Sequence, residues 1–346
     1  MKALTFFLFC FLCVSVTKGQ KPDLDQLIVD SNITGAQLIW IKDGKVSLQN
    51  AGYADTKKKV KVTKNTLFQA ASLSKVVLAY ICLTLVDQQT IDLDRPLSKY
   101  FDYPRISEDS AAQKITARMV LKHLSGFPNW AEGPGRASWK TSKLTTQFEP
   151  GTKWQYSGEG FFYLQATIEH LLKKDFQQIA SEMVFRPLGM KHSTFVWDNK
   201  FDKIAAYGHQ INGEQDRRST FLRSNSAYTL LTTASDYALF LKELSKKQLN
   251  HLMDDQIILY SEQMPYELAK HISWGLGIGI YSNEIGKTAW HWGDNGNFKG
   301  FFIINPEKDE ILICLTNHTN GLKLMPVLAN AYFGKAVWFI PPTWLE

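Results

Sequence analysis

Cysteine is scarce in this sequence: four in 346 residues, two of which, Cys10 and Cys13, fall within the first twenty. Only Cys82 and Cys314 lie further on, too few for a disulfide framework, and both stand in apolar stretches that predict buried core thiols. One Cys82–Cys314 bridge is the most that an oxidising compartment would form. Metal-binding spacings are also missing. No Cys-x-x-Cys or His-Glu-x-x-His occurs and the eight histidines are not ligand-spaced, so neither a metal nor a cofactor is expected. Strong charge is lacking as well, at +6 overall. Without Lys2 and Lys18 it is +4, too weak and dispersed to imply nucleic acid. The densest basic run, Lys57-Lys58-Lys59-Val60-Lys61, lies between Gly52 and Thr66 and predicts a solvated hairpin tip. No linker rich in proline, glycine or serine divides the chain, and no repeat is visible.

The apolar run Ala3 to Val16 is too short to cross a bilayer comfortably. With Lys2 before it and the small residues Thr17 and Gly19 after it, residues 1–19 predict a signal peptide cut near Gly19. Neither Cys10 nor Cys13 has the small preceding residue that lipid attachment wants. The protein is therefore expected to be exported, periplasmic or secreted, with no stable membrane insertion after cleavage. About 325 residues remain, enough for one large core or two modest domains. Residues 20–346 are expected to form a single catalytic unit. Ten tryptophans suit an aromatic-lined cleft.

What the chain does have is strand-like ends and a helical middle. Gln37 to Lys42 and Val46 to Gly52 are β-type runs separated by Asp43-Gly44, a hairpin signal. Ser72 to Asp87 is apolar on nearly all sides and predicts a buried helix. From Ala111 to Leu172, helical pieces alternate with Gly/Pro loops. Gly300 to Ile304 and Ile311 to Thr316 flank a turn at Asn305 to Asp309 and predict two buried strands, followed by a helix from Leu324 to about Ala336. Together these predict an α+β fold. An antiparallel sheet is built from both termini (about 20–75 and 195–346), with a mainly helical part (about 76–194) inserted between.

Three segments carry chemistry. In Phe68-Gln69-Ala70-Ala71-Ser72-Leu73-Ser74-Lys75, serine and lysine three residues apart share one face of a helix N-terminus. Free N–H groups there favour a developing anion, and a partly desolvated lysine can relay the hydroxyl proton. The motif alone is weak, since Ser15 to Lys18 matches it too; the apolar helix behind Ser72 strengthens it. Ser74 is also near but points away from Lys75. Pro150-Gly151 followed by Tyr156-Ser157-Gly158 places a phenol on a loop entering a helix. Beside a lysine a phenol ionises more readily, and a phenolate is a competent base. In Trp290-His291-Trp292-Gly293-Asp294, glycine on a strand allows close approach of substrate, and the following N–H can join that of Ser72 in an oxyanion hole. His291 is placed to orient substrate or share protons with Tyr156.

Taken in order, Ser72-x-x-Lys75, Tyr156-Ser157-Gly158 and His291-Trp292-Gly293 resemble the three catalytic elements of the penicillin-recognising serine enzymes. The branch is that of class C β-lactamases, D-alanyl-D-alanine carboxypeptidases and related esterases. Leu121 to Phe127, Pro187 to Met190, Thr232 to Asp236 and Thr316-Asn317 fit the same branch, so the resemblance runs from about residue 27 to 336. It implies a β-lactamase/transpeptidase-like fold with helices on both sheet faces. It also implies an acyl-enzyme on Ser72, proton transfer through Lys75 and Tyr156, and an oxyanion hole from the N–H groups of Ser72 and Asp294. Two departures bear on substrate. The second element often reads Tyr-x-Asn, and here Gly158 stands in place of Asn. The third often reads Lys-Thr-Gly, and His291 supplies less charge than lysine.

Both departures favour an ester, amide or peptide substrate over a dedicated β-lactamase role. The tryptophans flanking His291 suggest a ring-bearing or apolar group nearby, so Trp292→Ala is expected to depress aromatic or long acyl esters most. A genuine β-lactamase or carboxypeptidase is the alternative. A non-catalytic ligand-binding domain is the second, disfavoured because serine, lysine and tyrosine are all present.

Overall fold

The computed structural model describes residues 22–254, 256–259, 269–283 and 286–334. The apolar N-terminal run, with Cys10 and Cys13, lies outside them. Strands β1 (Gly35–Lys42) and β2 (Lys45–Asp55) form the expected hairpin. Its turn residues Asp43 and Gly44 take φ of 48° and 72°, the twist a two-residue turn requires. The lysine-rich run is the exposed turn leading to β3 (Val60–Lys61). The short β4 (Phe68–Gln69) pairs with β5 (Leu231–Thr232) and delivers the chain to Ser72. The remaining strands are β6 (Ile257–Ile258), β7 (Ile272–Trp274), β8 (Gly279–Asn283), β9 (Gly286–Asp294), β10 (Lys299–Asn305) and β11 (Glu310–Thr316).

Nine of these form one sheet in the order β3-β2-β1-β11-β10-β9-β8-β7-β6. All its pairs are antiparallel, and β1 lies beside β11, so the two ends of the chain share one sheet. Alternation along the strands sorts their side chains into two layers. Ile311, Ile313 and Leu315 face the layer that contains the helix Ser74–Asp87 and, from the helix Ala234–Lys247, Tyr237, Phe240 and Leu244. Leu312 and Cys314 face the opposite layer, under the helices Leu24–Asp30 and Leu324–Phe333. Cys82 lies in the first layer and Cys314 in the second, and both are free thiols. The sheet therefore separates them, and both are the buried core thiols that their apolar surroundings predict. The C-terminal helix ends at Phe333, where Gly334 takes φ 85°, short of the expected Ala336.

Between residues 88 and 230 the chain is mostly loops around the helices Ala117–Leu121, Gly158–Leu172 and Phe176–Ala180. A buried ion pair gathers these loops. Arg105 Nη1 donates to Glu159 Oε2 at 2.7 Å, with both side chains at 2% exposure or less. Glu159 Oε1 also accepts from Trp139 Nε1 at 2.8 Å and the Ala131 N–H at 3.1 Å. Such a pair is expensive to break from one side, because an uncompensated charge stays buried.

Candidate active site

The helix Ser74–Asp87 buries eleven of its fourteen residues, because its side chains are apolar on every face except at its start. That start is where chemistry is exposed. Ala71 has φ +50°, a left-handed conformation costly for a residue with a Cβ, and it turns the chain so that Ser72 meets solvent. Lys75 is 1% exposed and its Nζ donates to Ser72 Oγ at 3.1 Å and to the Ala227 carbonyl at 2.8 Å. Ser74 indeed turns away: its hydroxyl donates to the Ala71 carbonyl at 2.5 Å and accepts from the Leu230 N–H at 3.0 Å, pinning the Ser72 turn to the residue just before β5.

Tyr156 reaches the same point from the other side, with Lys75 Nζ 4.7 Å from its ring centroid. Its position follows from the next residue. Ser157 caps the helix Gly158–Leu172 by accepting from the Gly160 N–H, donates to the Pro128 carbonyl at 2.9 Å, and gives its own N–H to His123 Nδ1 at 3.0 Å. That last bond makes His123 Nδ1 an acceptor and so places the proton on Nε2. His123 stacks against Tyr156 with centroids 4.3 Å apart, and its φ of +57° shows a backbone held against its preference. Leu121 to Phe127 fits the family pattern as a segment without marking its histidine as a site residue. Local sequence carried no sign that residue 123 meets residue 156.

On β9, the Gly293 position admits no side chain. A Cβ there would lie 2.3 Å from the Ala70 carbonyl oxygen and 3.2 Å from Ala71 Cβ. The strand therefore passes directly against the Ser72 turn, which brings Asp294 to the same cavity as Ser72. The Asp294 carboxylate is held by Lys299 and by the Gly296 N–H. Ser72, Lys75, Tyr156 and Asp294 open onto one cavity of about 250 Å³. Asn129, Trp130, Pro134, Ala227, Tyr228 and Asn295 complete its wall.

His291 and Trp292 are not part of that wall. His291 is fully buried, Nδ1 lies 2.6 Å from the Trp292 carbonyl, and its ring centroid is 6.5 Å from that of Tyr156. Burial, with Lys75 nearby, lowers its pKa to about 3, so the imidazole is neutral. His123 is held well below its ordinary value by burial, then by Lys75 and His291. Trp292 is 2% exposed, stacked on Trp290 and packed edge-on to Trp274. The expectation that His291 and Trp292 meet the substrate is thus corrected. Strand alternation places Trp290 and Trp292 in the second core layer, behind Tyr156, while His291 stands under it on the other side. The aromatic group at the cavity is instead Trp130 with Tyr228, 5.6 Å apart and edge-on.

Gly158 acquires a reason from the same wall. A Cβ there would lie 2.5 Å from Trp130 Cζ2, so the indole occupies the space an asparagine side chain would fill. Amides still face the cavity from elsewhere: Asn129, whose Oδ1 accepts from the Gly158 N–H, and Asn295, whose Nδ2 donates to Gln69 and to the Tyr228 carbonyl. Among the described residues no group of three or more His, Cys, Asp or Glu is placed to hold a metal.

The family model "Beta-lactamase" matches residues 21–333. The chain belongs to the beta-lactamase family. This is a family of serine hydrolases that includes β-lactamases and carboxypeptidases. Protein flp of Staphylococcus aureus strain MW2 is 25% identical over 327 residues, 87% of this chain and 64% of that protein. The chain therefore spans a little under two thirds of that relative's length. Among solved structures, a class C beta-lactamase superposes with a TM-score of 0.76 at 18% identity, covering 91% of this chain and 94% of that one. A beta-lactamase/D-alanine carboxypeptidase from Pseudomonas syringae gives 0.74 at 17% identity, over 90% and 97%. At these identities the structures establish the β-lactamase/transpeptidase-like fold.

Proposed function

We propose that this beta-lactamase family member is a serine hydrolase that acts through an acyl-enzyme on Ser72. The observation that carries the reading is the Lys75 Nζ to Ser72 Oγ contact of 3.1 Å, made by a buried lysine at the mouth of a cavity shared with Tyr156. Ser72 Oγ attacks the acyl carbon and its proton passes to the Lys75–Tyr156 pair. The carbonyl oxygen, now an anion, is met by the N–H groups of Ser72 and Asp294. The pair returns the proton to the leaving atom, and water then attacks the acyl-enzyme by the same route in reverse. Which member of the pair holds the proton is a property of the two together.

The substrate class is an ester, amide or peptide in preference to a β-lactam. Two observations support this: Trp130 fills the space beside Gly158, and a neutral His291 leaves no cation at the strand position where β-lactamases carry lysine. A D-alanyl carboxypeptidase activity is the second reading, favoured by the likeness to the Pseudomonas syringae structure. Export is part of the proposal, supported by the pattern of residues 1–19, and the partner is a small-molecule or peptide acyl donor.

The test is intact-protein mass spectrometry of the mature protein and Ser72→Ala with a fluorophosphonate, a short p-nitrophenyl ester and a penicillin. Adducts on wild type that vanish in Ser72→Ala support the mechanism, and the probe that turns over divides esterase from lactamase. Absence of any adduct would sink it.

A further inference from the structure

A second cavity, of about 540 Å³, adjoins the Ser72 cavity and shares Pro134 and Tyr228 with it. Its aromatic side is continuous with the active-site wall. Trp139 lies 5.9 Å from Trp130, Trp130 5.6 Å from Tyr228, and Tyr228 5.5 Å from Phe221, each pair edge-on. Trp139 is fixed from behind, since its Nε1 donates to the buried Glu159 and the Arg105 guanidinium stacks 4.9 Å over its ring. This wall is therefore built into the fold rather than draped on it.

The charged part of the lining is basic. Arg136, Lys140 and Arg223 all border the cavity, and no carboxylate does. Arg136 has a loose partner in Glu132 at 3.9 Å. Lys140 and Arg223 have no ion pair among the described residues, although Lys140 feels Arg223 and, more weakly, Glu169. Glu169 is engaged elsewhere, its Oε1 accepting from Gln165 Nε2 and the Phe176 N–H. Burial and the nearby Arg223 charge both disfavour the charged form of Lys140, so an anion between the two cations would relieve the repulsion.

We propose that this cavity is a subsite for an anionic group on the substrate, a carboxylate at the far end of an apolar stem that lies along Trp130 and Tyr228. The proposal rests on the hydrolase reading and specifies its substrate class. The scissile carbonyl sits at Ser72, the stem crosses the aromatic ridge, and the carboxylate ends between Lys140 and Arg223. Such a group gains charge-assisted hydrogen bonds that a neutral analogue of the same shape lacks.

The experiment compares matched p-nitrophenyl esters of a dicarboxylic acid, one with the distal carboxylate free and one with it methylated, on the mature protein. A second matched pair carries the carboxylate on the alcohol side. In at least one pair the free acid is expected to show the higher kcat/KM, and that ratio should fall about tenfold in Lys140→Ala and in Arg223→Ala. It should also shrink as salt rises from 50 to 500 mM, since Lys140 and Arg223 are exposed. Lys143→Ala, whose partner is Glu108 on the surface outside the cavity, should leave the ratio intact. Equal rates for acid and methyl ester in both pairs, or loss of both alike in the variants, would overturn the subsite. Should no ester turn over, the hydrolase reading fails by itself. Calorimetric binding of the same esters to Ser72→Ala then decides the subsite: tighter binding of the acid supports it, and equal binding ends it.

Discussion

Two aromatic clusters flank the Tyr156 cavity, one packed on the phenol ring and one lining the open side, and they differ in what they do. One, made of Trp274, Trp290 and Trp292, is buried at 6% exposure or less and packs behind the phenol as part of the core under the sheet. The other, made of Trp130, Tyr228 and Phe221, is half-buried and borders open cavities. The first packs against Tyr156, the proposed proton acceptor, and the second is open to a ligand. Indole rings alone do not separate these roles. The difference lies in what covers the other face of the ring.

The largest expected effect falls on the buried cluster. Trp274→Ala removes a fully buried side chain in contact with Trp290, Trp292 and His123, and should cost about 3–5 kcal/mol of stability, read from urea midpoints. Trp292→Ala should lower turnover evenly across aromatic and aliphatic esters, because its ring reaches Tyr156 at 5.5 Å and not the cavity. A selective loss on aromatic esters would return Trp292 to the substrate.

Next in size is Gly158→Asn, which forces a side chain into the Trp130 indole and should destabilise by about 1–3 kcal/mol. The same change combined with Trp130→Ala should recover most of that loss in thermal unfolding. A double variant no more stable than the single one would show that the indole is not what excludes asparagine.

The pH dependence tests the buried side of the comparison. His291 is depressed from its ordinary value of 6.5 to about 3, and His123 is depressed too. The unfolded chain therefore binds more protons than the folded one over the window between, so their contribution is complete above pH 6.5 and is lost as pH falls toward 3. The slope is up to about 1.4 kcal/mol per pH unit per histidine. Unfolding midpoints of wild type should drop between pH 7.5 and 5 more steeply than those of His291→Phe, and parallel curves would contradict the burial argument.

The smallest structural effect is expected at the open cluster. Trp130→Ala should lower stability by about 1 kcal/mol or less, well below the loss expected for Trp274→Ala, yet raise KM for aromatic esters several-fold with kcat little changed. A loss of kcat at constant KM would place Trp130 with the positioning cluster.

Much of this protein was legible without coordinates because its signals are local. Alternating strands around Asp43-Gly44, the apolar helix after Ser72 and the Pro-Gly turn before Tyr156 are each set by neighbours within a few residues. Order along the chain then linked Ser72, Lys75, Tyr156 and Gly293, which the structure places around one turn and one cavity. Local pattern and order along the chain thus set the elements, the joining of both termini in one sheet, and the residues proposed for the chemistry. Tertiary structure decided which face each side chain presents. Gly293 packs on the far-off Ala70, Trp292 is buried against Trp274 and Tyr156 while Trp130 stays half-open, and His123 is brought against Tyr156. The physical reason is that exposure depends on what lies across the layer, and those partners are distant in the chain. Periodicity tells that a residue lies on a face, but only packing tells whether that face meets protein or substrate.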